Sequence, residues 1–241
     1  MVPLLLARLR NRWTRIRVGG KDLPPVAREN LRALDHLDLD QDIIKQRYVV
    51  FDLETTGLRL SRDRVLSVAA CRIIDGRIPL GDMFSSLANP GRDIPASSIK
   101  IHGIVPSMVA DAPPLKEVFD GFLTYLGSDI LVGYHVNFDL HFLNRYMKQG
   151  FGFPLQNLVL DTRRLYCKTV FPAHLKAYAY RFTRNHDLDE AARRLGIKIP
   201  GRHTAAGDAL ATAMIFQQIL ARFRQRGQHR LRDLIRIGTK M

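Results

Sequence analysis

The feature that most constrains the fold of this chain is an apolar run, Tyr48-Val49-Val50-Phe51, that passes into Asp52-Leu53-Glu54-Thr55-Thr56 and breaks at Gly57. A short run of β-branched and aromatic residues bounded by glycine reads as a buried strand. Side chains alternate along a strand, so Asp52 and Glu54 fall on one face. Two neighbouring carboxylates repel unless a cation lies between them, and an Asp-x-Glu at a strand end is therefore a candidate site for a hard metal ion. Ordinary surface acids share this spacing, so the pair alone does not separate the two readings.

Two later segments add to it. Ile130 to Tyr134 leads into His135-Val136-Asn137-Phe138-Asp139, followed by Leu140, Phe142, Leu143, Tyr146 and Met147 at helical spacing. Asp139 is thereby placed near a helix start, where it could serve only as an N-cap. Arg202-His203-Thr204-Ala205-Ala206-Gly207-Asp208 opens a long helical run that reaches Phe223, with His203 and Asp208 expected on its first turns. An acid there also favours the helix dipole, and a lone histidine before a helix is commonly a surface residue.

Together, Asp52, Glu54, Asp139 and Asp208, with His203 five positions before the last, resemble the three-motif pattern of the DEDD exonucleases in their histidine-bearing branch. The best-known member of that family is the proofreading epsilon subunit of bacterial DNA polymerase III. The likeness covers about residues 47–222, with Asp63-Arg64-Val65-Leu66, Asp75-Gly76, His102-Gly103-Ile104, Asp161-Thr162 and Leu188 to Gly196 in the family's order. It implies an α/β, ribonuclease H-like (exonuclease) fold, a central mixed sheet flanked by helices. It also implies two divalent ions, Mg²⁺ with Mn²⁺ able to substitute, held by the four carboxylates. Such a pair, about 4 Å apart, neutralises charge at both the attacking and the leaving oxygen of a phosphodiester. His203 is then expected to take the proton from the attacking water.

The expected reaction is stepwise 3′ to 5′ release of nucleoside 5′-monophosphates from single-stranded or frayed DNA ends, in repair or proofreading. Trimming of RNA or short oligonucleotides is the alternative. A non-catalytic module that binds nucleic acid or a polymerase is the alternative from another class. Thr55, Thr56, Gly57 and Leu58, with His102, Gly103 and Ile104, stand where the family lines the pocket around the 3′-terminal nucleotide; His102 has a plainer reading as a loop histidine. Two places depart from the pattern. His135 stands where relatives commonly carry asparagine, four residues before Asp139, and Ser67 stands where many carry a second-strand glutamate.

A chain of 241 residues with 46% hydrophobic content can bury one sizeable core. Three strands are expected between about 47 and 88, helical segments from about 104 to 127, a strand near 130–134 and helices onward. The domain is expected at 47–222, between a basic amphipathic extension, 1–46, and a short basic tail, 223–241. Residues 1–21 carry six Arg or Lys and no acid, and 222–241 carry seven against Asp233 alone, which leaves only +2 of the net +14 to residues 22–221. Basic ends attract phosphates in a salt-sensitive, sequence-independent way, or simply solubilise terminal helices.

Leu4-Leu5-Leu6-Ala7 is too short an apolar run for a signal peptide or a membrane span. Leu5, Leu9, Trp13 and Ile16 at near-helical spacing predict an amphipathic helix that packs on the domain, and Val26 to Ile44 predicts a second helical stretch. Cys71 and Cys167 lack zinc-ligand spacing and form no disulfide framework, and a reducing cytoplasm is the default expectation. A basic extension precedes the domain, whereas the replicative epsilon subunit bears its polymerase-binding tail after it. The expectation is therefore an epsilon-like exonuclease that stands alone or is tethered differently.

Overall fold

The computed structural model describes residues 2–35, 37–170, 187–199 and 201–239. A five-stranded mixed sheet organises them: β1 (Tyr48–Thr55), β2 (Val65–Ile73), β3 (Met83–Leu87), β4 (Ile130–Gly133) and β5 (Val159–Asp161). The spatial order is β3-β2-β1-β4-β5. β1 pairs antiparallel with β2 and parallel with β4, so it is the central strand where the two halves of the sheet meet. Asp75 and Gly76, both at positive φ, close a tight turn between Ile74 and Arg77.

Among the described residues the helices, in chain order, are α1 (Val2–Val18), α2 (Pro25–Arg32), α3 (Ala96–His102), α4 (Pro106–Val109), α5 (Leu115–Leu126), α6 (Asn137–Phe151), α7 (Thr162–Val170), α8 (Leu188–Arg194), α9 (Ala205–Gln225) and α10 (Leu231–Gly238). Between β3 and β4 the helices begin at Ala96, earlier than the expected start near residue 104. β5 also corrects the expectation of helices alone after residue 134. It has only three residues, Val159-Leu160-Asp161, too few to show a strand period, and it exists because β4 offers a paired edge. Residues 171–186, which fall in that helical expectation, lie outside the described residues.

The alternation of β1 splits the core. Tyr48 and Val50 pack with α9, where the Tyr48 and Phe216 rings meet edge-on at 4.9 Å between centroids. Val49, Phe51 and Leu53 pack on the opposite face with α5 and α6, where Phe51 stacks on Phe122 at 5.5 Å. Asp52 and Glu54 share the parity of Tyr48 and Val50, so both point to the α9 side. Gly133, at the end of β4, has no room for a side chain: a Cβ there would lie 2.7 Å from Val136. That close approach lets the chain turn from β4 straight into α6.

Both ends of the chain join this core. Helix α1 forms as expected, but with the opposite face inward. Leu4, Asn11, Thr14 and Val18 are buried, whereas Leu5, Leu9, Trp13 (72% exposed) and Ile16 point outward. The inner face is held by polar chemistry that the hydrophobic stripe could not reveal. The Asn11 amide donates to Leu31 O at 3.1 Å and to Gln156 Oε1 at 2.9 Å, and Arg8 and Arg15 donate to backbone carbonyls at Leu37 and Leu31. Asn11→Ala would leave the buried Gln156 oxygen without its donor, and we expect it to cost about 1–3 kcal/mol, read as a lowered denaturant midpoint at unchanged slope. Beyond α2, the described residues among 33–44 form turns and irregular chain rather than the expected helix. In the basic stretch 223–241, Leu231, Leu234 and Ile235 of α10 are buried.

Candidate active site

Asp52 and Glu54 leave the end of β1 opposite Ala69 and Ser67 of β2, with a register irregularity between Glu54 and Thr55. Asp208 reaches them from the first turn of α9. That helix starts there because Thr204 caps it, its hydroxyl accepting the Gly207 N–H at 3.1 Å. One carboxylate oxygen from each of Asp52, Glu54 and Asp208 can be chosen so that all three lie within 4.8 Å of one another. Asp139 lies in the first turn of α6, two residues into the helix beyond Asn137, and Val136 is the N-cap. It is therefore not the N-cap residue that its local sequence allowed. It is buried and close enough to raise the Asp52 pKa, although it stands outside the group of three.

The electrostatics are those of acids crowded with too little counter-charge. Burial pushes Asp52 well above the usual carboxylate range, and Asp139, Asp208 and Glu54 add to the shift, against a lowering by Arg202. Burial, then Asp208, push Glu54 up to about 8, again opposed by Arg202. Asp139 and Asp208 are raised by burial as well. Asp208 Oδ1 is buried with no hydrogen-bond partner among the described residues. Buried polar atoms are nearly always satisfied. An unpartnered carboxylate oxygen beside two further carboxylates is a donor set suited to a hard divalent cation, and the residues fit such an ion.

His203 is corrected in place. It lies in the turn before α9 rather than on the helix, exposed and at φ +62°, with its Nδ1 3.1 Å from the Arg202 guanidinium. Arg202 was not singled out from the sequence. It donates to both Asp208 and Asp189, tying α8 to the acid cluster. Its charge is common in this chain, and the only local signal is its place beside His203. His135, the departure from the expected asparagine, is also at positive φ, and Asn137 is exposed at the start of α6 without a capping bond.

Around this cluster, Thr55 and Thr56 shape the loop that leaves β1. The Thr55 hydroxyl donates to Gly57 O, the Thr56 hydroxyl accepts from Arg64 N, and Thr56 O accepts from Ser98 of α3. Gly57 is required by close approach, since a Cβ would come 2.6 Å from the Asp63 carboxylate. Leu58 projects outward, 82% exposed. His102 and Ile104 are buried at the end of α3, where Gly103 takes a left-handed C-cap. The His102 Nδ1 accepts the Ile104 N–H, its Nε2 has no partner among the described residues, and burial holds its pKa down. Ile101, Val105 and Met108 flank this segment, large and exposed; sequence reasoning passed over them because single apolar residues next to a turn carry no period.

The mixed sheet and its flanking helices are the architecture of ribonuclease H-like exonucleases. A structure of E. coli exonuclease I in complex with a dT13 oligonucleotide superimposes with a TM-score of 0.60 at 16% identity, over 76% of this chain and 42% of that one. Exonuclease X in complex with 5′ overhanging duplex DNA gives 0.55 at 22%, over 75% and 93%. The exonuclease family pattern matches residues 49–216, and the chain belongs to that family. It is 36% identical over 184 residues to the DNA polymerase III subunit epsilon of Aquifex aeolicus, which covers 76% of this chain and 85% of that protein. It is 41% identical over 186 residues to a DNA polymerase III subunit epsilon-like protein of Rhodobacter capsulatus, spanning 76% of this chain but 25% of that one. Among the described residues no helix is long and apolar enough to cross a membrane.

Proposed function

We propose that this chain is a metal-dependent 3′ to 5′ exonuclease that releases nucleoside 5′-monophosphates from single-stranded or frayed DNA ends, in repair or proofreading, alone or with a polymerase or repair partner. The observation that supports it most is the meeting of Asp52, Glu54 and Asp208 from two distant elements, with Asp208 Oδ1 unpartnered. A decayed site in a mere binding module has no reason to keep this set.

Asp52, Glu54 and Asp208 would hold the divalent cations, Mg²⁺ or in its place Mn²⁺, and Asp139 would complete the set from α6. When bound, two such ions supply charge neutralisation at the phosphate and activation of water at neutral pH. His203 accepts the proton of the attacking water; its exposed turn leaves the imidazole free to exchange that proton with solvent. The loop that begins with Thr55, Thr56 and Gly57 presents Leu58 to the terminal base, and His102, Gly103 and Ile104 wall the same pocket from α3.

Digestion of matched 5′-labelled single-stranded DNA and RNA oligomers with Mg²⁺, Mn²⁺ or chelator tests this reading. The expected result is a metal-dependent ladder that shortens from the 3′ end, on DNA in preference to RNA. His203→Ala should slow it about 10²- to 10⁴-fold. A ladder on RNA alone would move the substrate to RNA, and no cleavage with either metal would leave the binding module.

A further inference from the structure

The loop that presents Leu58 closes on itself where Thr56 N–H donates to Arg64 O at 2.8 Å. Beside that closure lies a cleft of about 340 Å³, walled by Asp63, Arg64, Phe142, Arg145, Tyr146 and Gln149 among others. Two guanidinium groups line it, and neither Arg64 nor Arg145 has a carboxylate partner among the described residues. Arg64 donates to Arg62 O and Asp63 O, and Arg145 donates to Leu60 O at 3.1 Å and Ser61 O at 3.3 Å. The Asp63 carboxylate does not neutralise them. It is buried, accepts from Arg59 N at 2.7 Å, and lies 3.8 Å from Arg62.

Two guanidinium groups in one cleft with no carboxylate in ion-pair contact among the described residues call for an anion. Burial, and then the like charge of Arg64, hold the Arg145 pKa down. Arginine forks match phosphate oxygens in geometry, and the carbonyl bonds fix the Arg145 head in advance. Arg145 lies six residues beyond Asp139 on the same helix, about 9 Å along its axis at 1.5 Å per residue. The loop that carries Leu58 also supplies the carbonyls, Leu60 O and Ser61 O, that hold Arg145, so one segment joins the acidic end of β1 to this cleft.

We infer that Arg64 and Arg145 form a phosphate subsite for the substrate strand, taking a backbone phosphodiester upstream of the scissile bond and so favouring oligonucleotides over mononucleotide esters. This rests on the proposed function for the identity of the anion.

The test is equilibrium binding of a 5′-fluorescein thymidine oligonucleotide to the full chain in chelator, so that no cleavage occurs, across a KCl titration. Arg64→Gln and Arg145→Gln should each weaken low-salt binding about 5- to 10-fold, and the double Gln variant should reduce the slope of log affinity against log salt by about 0.7, the share of one phosphate. Arg64→Lys and Arg145→Lys, which keep the charge, should retain the slope. A single neutral methylphosphonate, scanned from the 3′ end, should weaken wild-type binding at one upstream linkage and have no further effect there in the double Gln variant. A wild type that does not bind the strand, an unchanged slope in the double variant, or an equal loss at every linkage would overturn the subsite. Failure of 3′ cleavage is read separately, with metal, and defeats the proposed activity without touching this result.

Discussion

Asp52→Asn is expected to make the metal-free protein more stable while removing its hydrolytic activity. The Asp52 carboxyl is held well above its ordinary range by burial and by three neighbouring acids, so above its ordinary pKa the folded state holds this proton more strongly than the unfolded chain does, and ionising it costs stability. A neutral amide of the same shape lifts that cost. A gain of about 1–2 kcal/mol, read as a rise of about 2–8 °C in melting temperature at pH 7 in chelator, follows for a chain of this size. The gain should vanish below about pH 3, where the carboxyl is protonated in both states. Loss of one metal-facing carboxylate should lower hydrolysis by at least about 100-fold in saturating Mn²⁺. A variant that melts lower than wild type and still cleaves would refute the role given to this residue.

The pH dependence of stability should have the sign opposite to that of most soluble domains. Glu54 is pushed up to about 8 in the folded chain and titrates near 4.3 when unfolded. Below about pH 4.3 both states carry the proton and the group contributes nothing. Between there and 8 the unfolded state has released its proton and the folded state has not, so the folded state binds more protons and stability falls as pH rises. Above 8 both are ionised and the slope ends. Asp52 and Asp139, also raised, act in the same direction.

Divalent cations reverse the trend. They bind the ionised cluster, so their stabilisation grows with pH as protons are displaced. Melting curves of wild type and Glu54→Gln across pH 4.5–8.5, with chelator and with Mn²⁺, isolate the effect as a difference. A wild-type minus variant difference that stays flat in chelator, or a Mn²⁺ shift that shrinks with rising pH, would count against the cluster described here.

Much of this was legible in sequence because short-range periods carry it. β1 was visible as an apolar run ended by Gly57, and its alternation placed Asp52 and Glu54 on one face. α6 was visible from Leu140, Phe142, Leu143, Tyr146 and Met147, and α9 from the run into Phe223. β5 was not, because three residues have no period and only pairing with β4 makes them a strand. α1 shows the same limit from the other side. It carries two stripes, and the more hydrophobic one points to solvent, because Asn11 and its partners Leu31 and Gln156 choose which face is inward through hydrogen bonds across 20 and 145 residues of chain.

The sequence by itself determined the central strand, the main helices, the family and the identity of the acids, since each rests on residue type and spacing within a few turns of chain. Only the tertiary structure decided that Asp208 meets Asp52 and Glu54 while Asp139 stands just outside them. It also decided that His203 lies on a left-handed turn, that Arg202 faces the acids, and that Arg64 and Arg145 share one cleft. The physical reason is that charge and burial act through space: a carboxylate is shifted, or a guanidinium left without a counter-ion, by neighbours that chain order does not name.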